Sequence, residues 1–257
     1  RFAYRRLPVV RSSSMGRFDA MVRAQRWRLL PGYARAEVLR QRGLVVRLPE
    51  GVFESNVDVK VASELGADYD VVLLACKAYD LEAAIDMIGP AAGSDTVIVP
   101  LLNGVCHLDM IENRLGHARI AGGTCHLAST VESDGSVRQM SPTARIAFGP
   151  RHEISPSGQR ALETLAALFS RTPVECRLSE QIMQEMWEKF AFLATLASAT
   201  CLMRAAIGDI VATESGLRLI AGGFETCAAT AAAAGFPMRE EARRDFLDTL
   251  TPWGGTS

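Results

Sequence analysis

The chain has 257 residues, 48% hydrophobic and 22% charged, which excludes a disordered chain and fits one large or two modest domains. The longest uncharged apolar stretch, Phe190–Met203, falls short of the ~20 residues that cross a bilayer, and the Arg-rich start lacks the apolar core of a secretory signal. The net charge of −1 hides a balance of +8 on residues 1–35, from nine Arg and one Asp, which leaves −9 for the remainder.

Those arginines alternate with Pro, Trp and Leu without helical or strand period, so no nucleic-acid-binding arm is expected. The six cysteines (76, 106, 125, 176, 201 and 227) stand no closer than 19 residues apart, and the four histidines do not pair at i, i+4. Neither pattern holds a metal, and the Cys usage implies a reduced, cytoplasmic compartment.

In chain order, residues 35–42 predict a short helix ending at Gly43, followed by a strand over 44–48 and an alternating segment over 57–61. The run Val71-Val-Leu-Leu-Ala-Cys76 is continuous and apolar, as in a strand of a parallel sheet buried on both faces. A helix over 80–88 follows, then a second such run over 96–102 and a helix over 108–115. This alternation predicts a doubly wound α/β sheet. Short strands are expected over 119–122, 137–140, 146–148 and 174–176, with a helix over 156–170.

Beyond Leu178 the pattern changes. Ser179 is placed to cap a long helix with apolar residues at 182, 183, 186, 187, 190, 193 and 194, a period of 3.6. Helices over 216–234 and 238–250 follow, with no further strand alternation. The expected architecture is therefore an α/β Rossmann-like domain over 1–178 and an all-α domain over 179–257.

In an open α/β sheet, ligands bind beyond the carboxyl ends of the strands. Lys77 and Asn103 each follow one of the two fully apolar runs. Lys77 reads either as a solvated strand end or as a ligand contact, and Asn103-Gly104 either as a turn or as part of the same site. Lysine is scarce here, with three residues (Lys60, Lys77, Lys189) against 25 arginines. On a helical wheel with Ile182 at zero, Lys189 falls at about 340°, bordering the apolar face, while Gln184, Glu185 and Glu188 take the exposed one. Lys189 is either a lysine whose stem covers apolar surface or an ammonium at the mouth of a cleft, able to protonate a developing alkoxide.

The ordered set Asp70-Val-Val-Leu-Leu-Ala-Cys-Lys77-Ala-Tyr, Val99-Pro-Leu-Leu-Asn103-Gly-Val, Gly122-Gly-Thr with Ala128 beyond it, and Met186-Trp-Glu-Lys189-Phe resembles the ketopantoate reductase (2-dehydropantoate 2-reductase) family. The resemblance implies a Rossmann domain followed by a helical substrate and dimerisation domain, with the active site between them. It implies NADPH-dependent reduction of a 2-oxo acid to a 2-hydroxy acid, as in pantothenate and coenzyme A biosynthesis, and a homodimer, with no nucleic-acid or membrane partner. By the same resemblance, Lys189 is the proton donor and binds substrate. Asn103 contacts cofactor and substrate, Lys77 lies beside the cofactor, and Ala128 offers it backbone.

Three departures stand out. No G-x-G-x-x-G occurs in the chain, although the stretch before Glu37 is long enough for a strand, loop, helix and second strand, and an out-of-frame segment is one reading of residues 1–35. Leu193 and Ala197 stand where the family usually carries substrate-binding Asn, which points to a more apolar 2-oxo acid. The sequence also stops before the family's later Ser and Glu, so a shortened helical domain is expected. The opposing reading is a catalytically silent Rossmann-like remnant that serves as a folded or dimerising module.

Overall fold

The computed structural model describes residues 2–4, 27–29, 33–49, 51–116, 119–141 and 144–251. They fall into two units, residues 1–102 with 106–182, and residues 103–105 with 183–257.

The first unit is α/β. Its elements are β1 (Phe2–Tyr4), β2 (Trp27–Leu29), α1 (Tyr33–Arg42), β3 (Leu44–Leu48), β4 (Gly51–Ser55), β5 (Asp58–Val59), β6 (Val71–Leu74), α2 (Leu81–Ile88), β7 (Val97–Pro100) and α3 (His107–Leu115). They continue with β8 (Ala121–His126), β9 (Ser129–Val131), β10 (Val137–Gln139), β11 (Arg145–Pro150), α4 (Pro156–Phe169) and β12 (Glu175–Leu178). Five strands form a sheet in the order β5-β2-β1-β6-β7, all parallel. This is the crossover order of a dinucleotide-binding fold, in which the chain leaves the sheet centre in both directions and the strand order reverses between β1 and β6. Strands at both expected positions ahead of Glu37 therefore pair in the sheet. Residues 5–26, where a glycine loop and its helix would fall, lie outside the described residues.

The apolar runs occupy the buried positions their composition demands. All four residues of β6 and all four of β7 are buried. Val71, Leu73, Val97 and Val99 join Leu162, Leu165, Leu168 and Phe169 of α4 in one core cluster. Both strands are shorter than their apolar runs, because strand pairing ends at Leu74↔Pro100. Two small sheets complete the unit, β4-β3-β10-β9 and β12-β11-β8. In the first, β10 lies parallel to β3 from more than eighty residues away, a pairing with no local sequence signal. The expected strand over 57–61 is confined to Asp58–Val59. At the end of α1, Gly43 adopts φ +70, a left-handed turn that an L side chain resists.

The second unit is all helical among the described residues, with α5 (Ile182–Met203), α6 (Ile207–Val211), α7 (Glu214–Ala233) and α8 (Glu240–Leu250). Ala199, Ile210, Val211, Ile220, Phe224 and Leu250 form its core, joined by the stacked rings of Phe192 and Phe246 at 4.8 Å. Thr213 caps α7, its side chain accepting from the Gly216 N–H. Ser179 does not begin α5 directly. Its hydroxyl accepts from the Gln181 N–H at 3.1 Å, closing a turn before the helix starts at Ile182. No described helix is long and apolar enough to cross a membrane.

Candidate active site

Three of the residues singled out in the sequence follow the carboxyl ends of three neighbouring strands. Lys77 stands three residues beyond Leu74 of β6, and Asn103 three residues beyond Pro100 of β7. Leu74 and Pro100 are register partners, so the two departures are level. The Leu101 N–H donates to the Leu74 carbonyl at 2.8 Å, extending the pairing one residue further. Lys77 is exposed and extended (φ −79, ψ 154), and leads into a tight turn over Ala78–Asp80. Asn103 is exposed, and Gly104 after it takes φ +85.

The third strand, β8, runs beside β7, with Ile120 bridging Ile98 in parallel. Gly123 permits that approach. A Cβ there would meet the Pro100 carbonyl oxygen at 2.5 Å and Leu101 Cδ2 at 2.9 Å, so any side chain would push β8 off the end of β7. The second glycine of Gly122-Gly-Thr thus has a steric cause. Ala128 follows this strand and is exposed. Its N–H donates to Ser141 Oγ at 3.1 Å, and its carbonyl accepts from the Met140 and Ser141 N–H groups. Contact through this backbone with any ligand therefore requires exchange with Ser141.

Asn103, Gly104 and Val105 group with the helical unit and not with the sheet from which they emerge. Lys189 belongs to the same unit, in the second turn of α5, and is 7% exposed. The residue as a whole is thus largely covered, at the border of the apolar face of the helix.

Glu188 corrects the sequence reading. Wheel geometry puts it on the exposed face, yet it is 3% exposed. That face of α5 is covered by polar partners. Arg239, at the N-cap of α8, donates from Nε to Glu188 Oε1 at 2.8 Å and from NH2 to Oε2 at 2.6 Å. Its backbone N–H adds a third bond to Oε1 at 3.0 Å. Gln184 Nε2 donates both to Glu188 Oε1 and to the Pro237 carbonyl, each at 2.9 Å. Burial alone pushes the Glu188 pKa up, but the bonds from Arg239 and Gln184 outweigh it and hold the carboxyl below its ordinary range. Beside it, the Trp187 ring meets Phe190 edge-on at 5.4 Å and stacks on Phe236 at 6.0 Å. Sequence reasoning missed Arg239 and Phe236: Phe236 falls in the gap between the helices expected over 216–234 and 238–250, and Arg239 in the first turn of the second.

Elsewhere in the first unit, His107 at the start of α3 is buried, its Nε2 without a hydrogen-bond partner among the described residues. Burial and the nearby Arg151 guanidinium push its pKa down to about 4. Arg151 pairs with Asp109 and Glu112 of the same helix, at 2.6 and 3.2 Å.

A parallel sheet that reverses strand order at its centre, with polar side chains at its carboxyl edge and a helical unit after it in the chain, defines a Rossmann-like α/β protein with an all-helical C-terminal region. Comparison of sequences gives the family. Residues 25–153 match the model of Ketopantoate reductase PanE/ApbA, and residues 181–251 match that of Ketopantoate reductase PanE/ApbA C terminal. The chain belongs to the ketopantoate reductase PanE/ApbA family. It is 32% identical over 182 residues to the uncharacterized oxidoreductase YkpB of Bacillus subtilis, a match covering 71% of this chain and 59% of that protein. It is 25% identical over 184 residues to a 2-dehydropantoate 2-reductase of Streptococcus pyogenes serotype M3, covering 71% and 58%. The chain thus spans about six tenths of the length of these curated relatives. Among solved structures, a putative ketopantoate reductase from Ralstonia solanacearum superposes with a TM-score of 0.81 at 22% identity, over 100% of this chain and 84% of that one. A D-mandelate dehydrogenase bound to NADH and anilino(oxo)acetate gives 0.78 at 20% identity, over 92% and 77%. Both likenesses show the fold.

Proposed function

We propose that the protein reduces a 2-oxo acid to a 2-hydroxy acid with NADPH, in the manner of the 2-dehydropantoate 2-reductases, and that its substrate carries an apolar side chain. The observation that carries the reading is Lys189, a lysine 7% exposed on the first helix of the helical unit, in a chain with only two other lysines. A desolvated ammonium is suited to giving a proton to an oxygen that becomes anionic as carbon is reduced. The grouping of Asn103 with the helical unit supports a shared site. Its neutral amide orients a carbonyl or carboxamide without titrating.

The carboxyl edge of the sheet fits a nicotinamide dinucleotide. The exposed cation Lys77 leaves β6, next to the point where strand order reverses, and suits a phosphate or ribose. Lys77 and Asn103 would hold the cofactor, with Ala128 joining once Ser141 releases its N–H. The cofactor would supply hydride. Lys189 would hold the proton at the substrate oxygen, and Asn103 would fix the orientation of the reacting carbon.

The preference for an apolar substrate rests on α5. Leu193 and Ala197 follow Lys189 at intervals of one turn on the same helix face, and neither offers a hydrogen bond. The D-mandelate dehydrogenase among the structural neighbours makes phenylglyoxylate a natural probe beside ketopantoate. The test is NADPH oxidation by the full chain with both acids. Lys189→Ala should lower kcat by ~10²-fold or more, and unchanged turnover removes Lys189 from the reaction.

One observation favours the silent module instead. The family match begins at residue 25, and the text before it holds no glycine loop. NADPH fluorescence titration separates the two, since saturable micromolar binding supports the enzyme and its absence supports the module.

A further inference from the structure

We propose that the connector between α7 and α8, residues 235–239, is a splint that sets the rotation of α5 about its axis and so the direction of Lys189, with Arg239 as the positioning residue. The proposal rests on the reading of Lys189 as the reacting amine. The connector grips α5 at three points within little more than one helical turn. The Pro237 carbonyl takes the Gln184 amide, Phe236 stacks on Trp187, and Arg239 holds Glu188 through two side-chain bonds and one backbone bond.

On a wheel with Ile182 at zero, these three residues lie at about 200°, 140° and 240°. They span ~100° of azimuth on the side of the helix away from Lys189 at about 340°. A single contact lets a helix roll, but three spread over that arc do not. The planar fork of Arg239 on both carboxylate oxygens adds an angular constraint that a point charge lacks. The two residues that precede Lys189, Trp187 and Glu188, are both held by the connector. The Cα–Cβ bond of Lys189 therefore leaves the helix in a set direction.

The three lysines of the chain make the test direct. Reductive methylation with formaldehyde and cyanoborohydride, followed by peptide mass spectrometry, reads the reactivity of Lys189 against Lys60 and Lys77 as internal controls, with no requirement for turnover. Two variants of the full chain are compared with wild type: the double replacement Glu188→Gln with Arg239→Met, which leaves no orphan charge, and the milder Arg239→Lys. The expected result is a ~10-fold rise in Lys189 methylation in the double variant, a smaller rise in Arg239→Lys, and constant rates at Lys60 and Lys77. With phenylglyoxylate, kcat falls ~10-fold or more while KM for NADPH holds. An unchanged Lys189 rate overturns the proposal, as does a rise shared by all three lysines, which marks general loosening. Failure of the functional reading shows elsewhere, as turnover that survives Lys189→Ala.

Discussion

Glu188 and Arg239 meet as a two-pronged ion pair across fifty-one residues of sequence, with the carboxylate side chain 4% exposed and the guanidinium side chain 49% exposed. Breaking a buried pair from one side costs ~3–5 kcal/mol because a charge is stranded, and the open side of Arg239 reduces that figure. Arg239→Ala is expected to lower unfolding free energy by about 2 kcal/mol at pH 7, read by urea denaturation. The pair also sets a pH dependence. The folded Glu188 pKa lies below its unfolded value, so its stabilisation is complete above the ordinary glutamate range and is lost as pH falls through the folded value. The gap between wild type and Glu188→Gln should therefore close on acidification. A gap that stays constant to pH 3 contradicts the assignment.

His107 predicts a second, separate slope. Its folded pKa of about 4 lies below the ordinary 6.5, so between those values the unfolded chain takes up a proton that the folded chain refuses. Stability is then whole above pH 6.5 and declines toward pH 4. Replacing the imidazole in His107→Gln should flatten the melting temperature against pH across that window. A slope identical to wild type would assign it to other groups.

The fold was largely legible because its strongest signals are local. Val71–Leu74 and Val97–Pro100 are apolar on both faces in the sequence and buried on both in the structure, and the 3.6-period stripe announces α5. The β3–β10 pairing was not legible, since nothing in residues 44–48 names a partner near 137. Lys77 and Asn103 could be picked out because a strand's carboxyl end is readable from where its apolar run stops. The burial of Glu188 could not. Periodicity sorts residues into apolar and polar faces, and a polar face covered by Arg239 and Gln184 looks the same in sequence as one covered by water.

Gly123 carries a packing prediction. In Gly123→Ala the new Cβ would sit 2.5 Å from the Pro100 carbonyl oxygen, a backbone atom that cannot swing aside. Overpacking of this kind costs ~1–3 kcal/mol, and the strain falls at the base of the Asn103 loop. Thermal denaturation should show the loss of stability, and NADPH titration a weakened affinity beyond it. Gly222→Ala, where a new Cβ meets nothing within 4 Å, makes the comparison. If Gly123→Ala melts with wild type, β8 has room that the steric argument denies it.

Substrate choice gives the last prediction. If Leu193 and Ala197 present an apolar wall beside Lys189, installing Asn at both positions adds hydrogen-bonding groups that an apolar substrate leaves unpaired and a hydroxylated one satisfies. Sites built to hydrogen-bond a hydroxyl discriminate far more strongly than apolar pockets, where one methylene is worth ~1–3 kcal/mol. The ratio of kcat/KM for ketopantoate over phenylglyoxylate should rise by ~10-fold or more in Leu193→Asn/Ala197→Asn. The gain should come from both directions, with ketopantoate improving and phenylglyoxylate declining. Equal losses on the two acids would mean that these positions support the helix without meeting substrate.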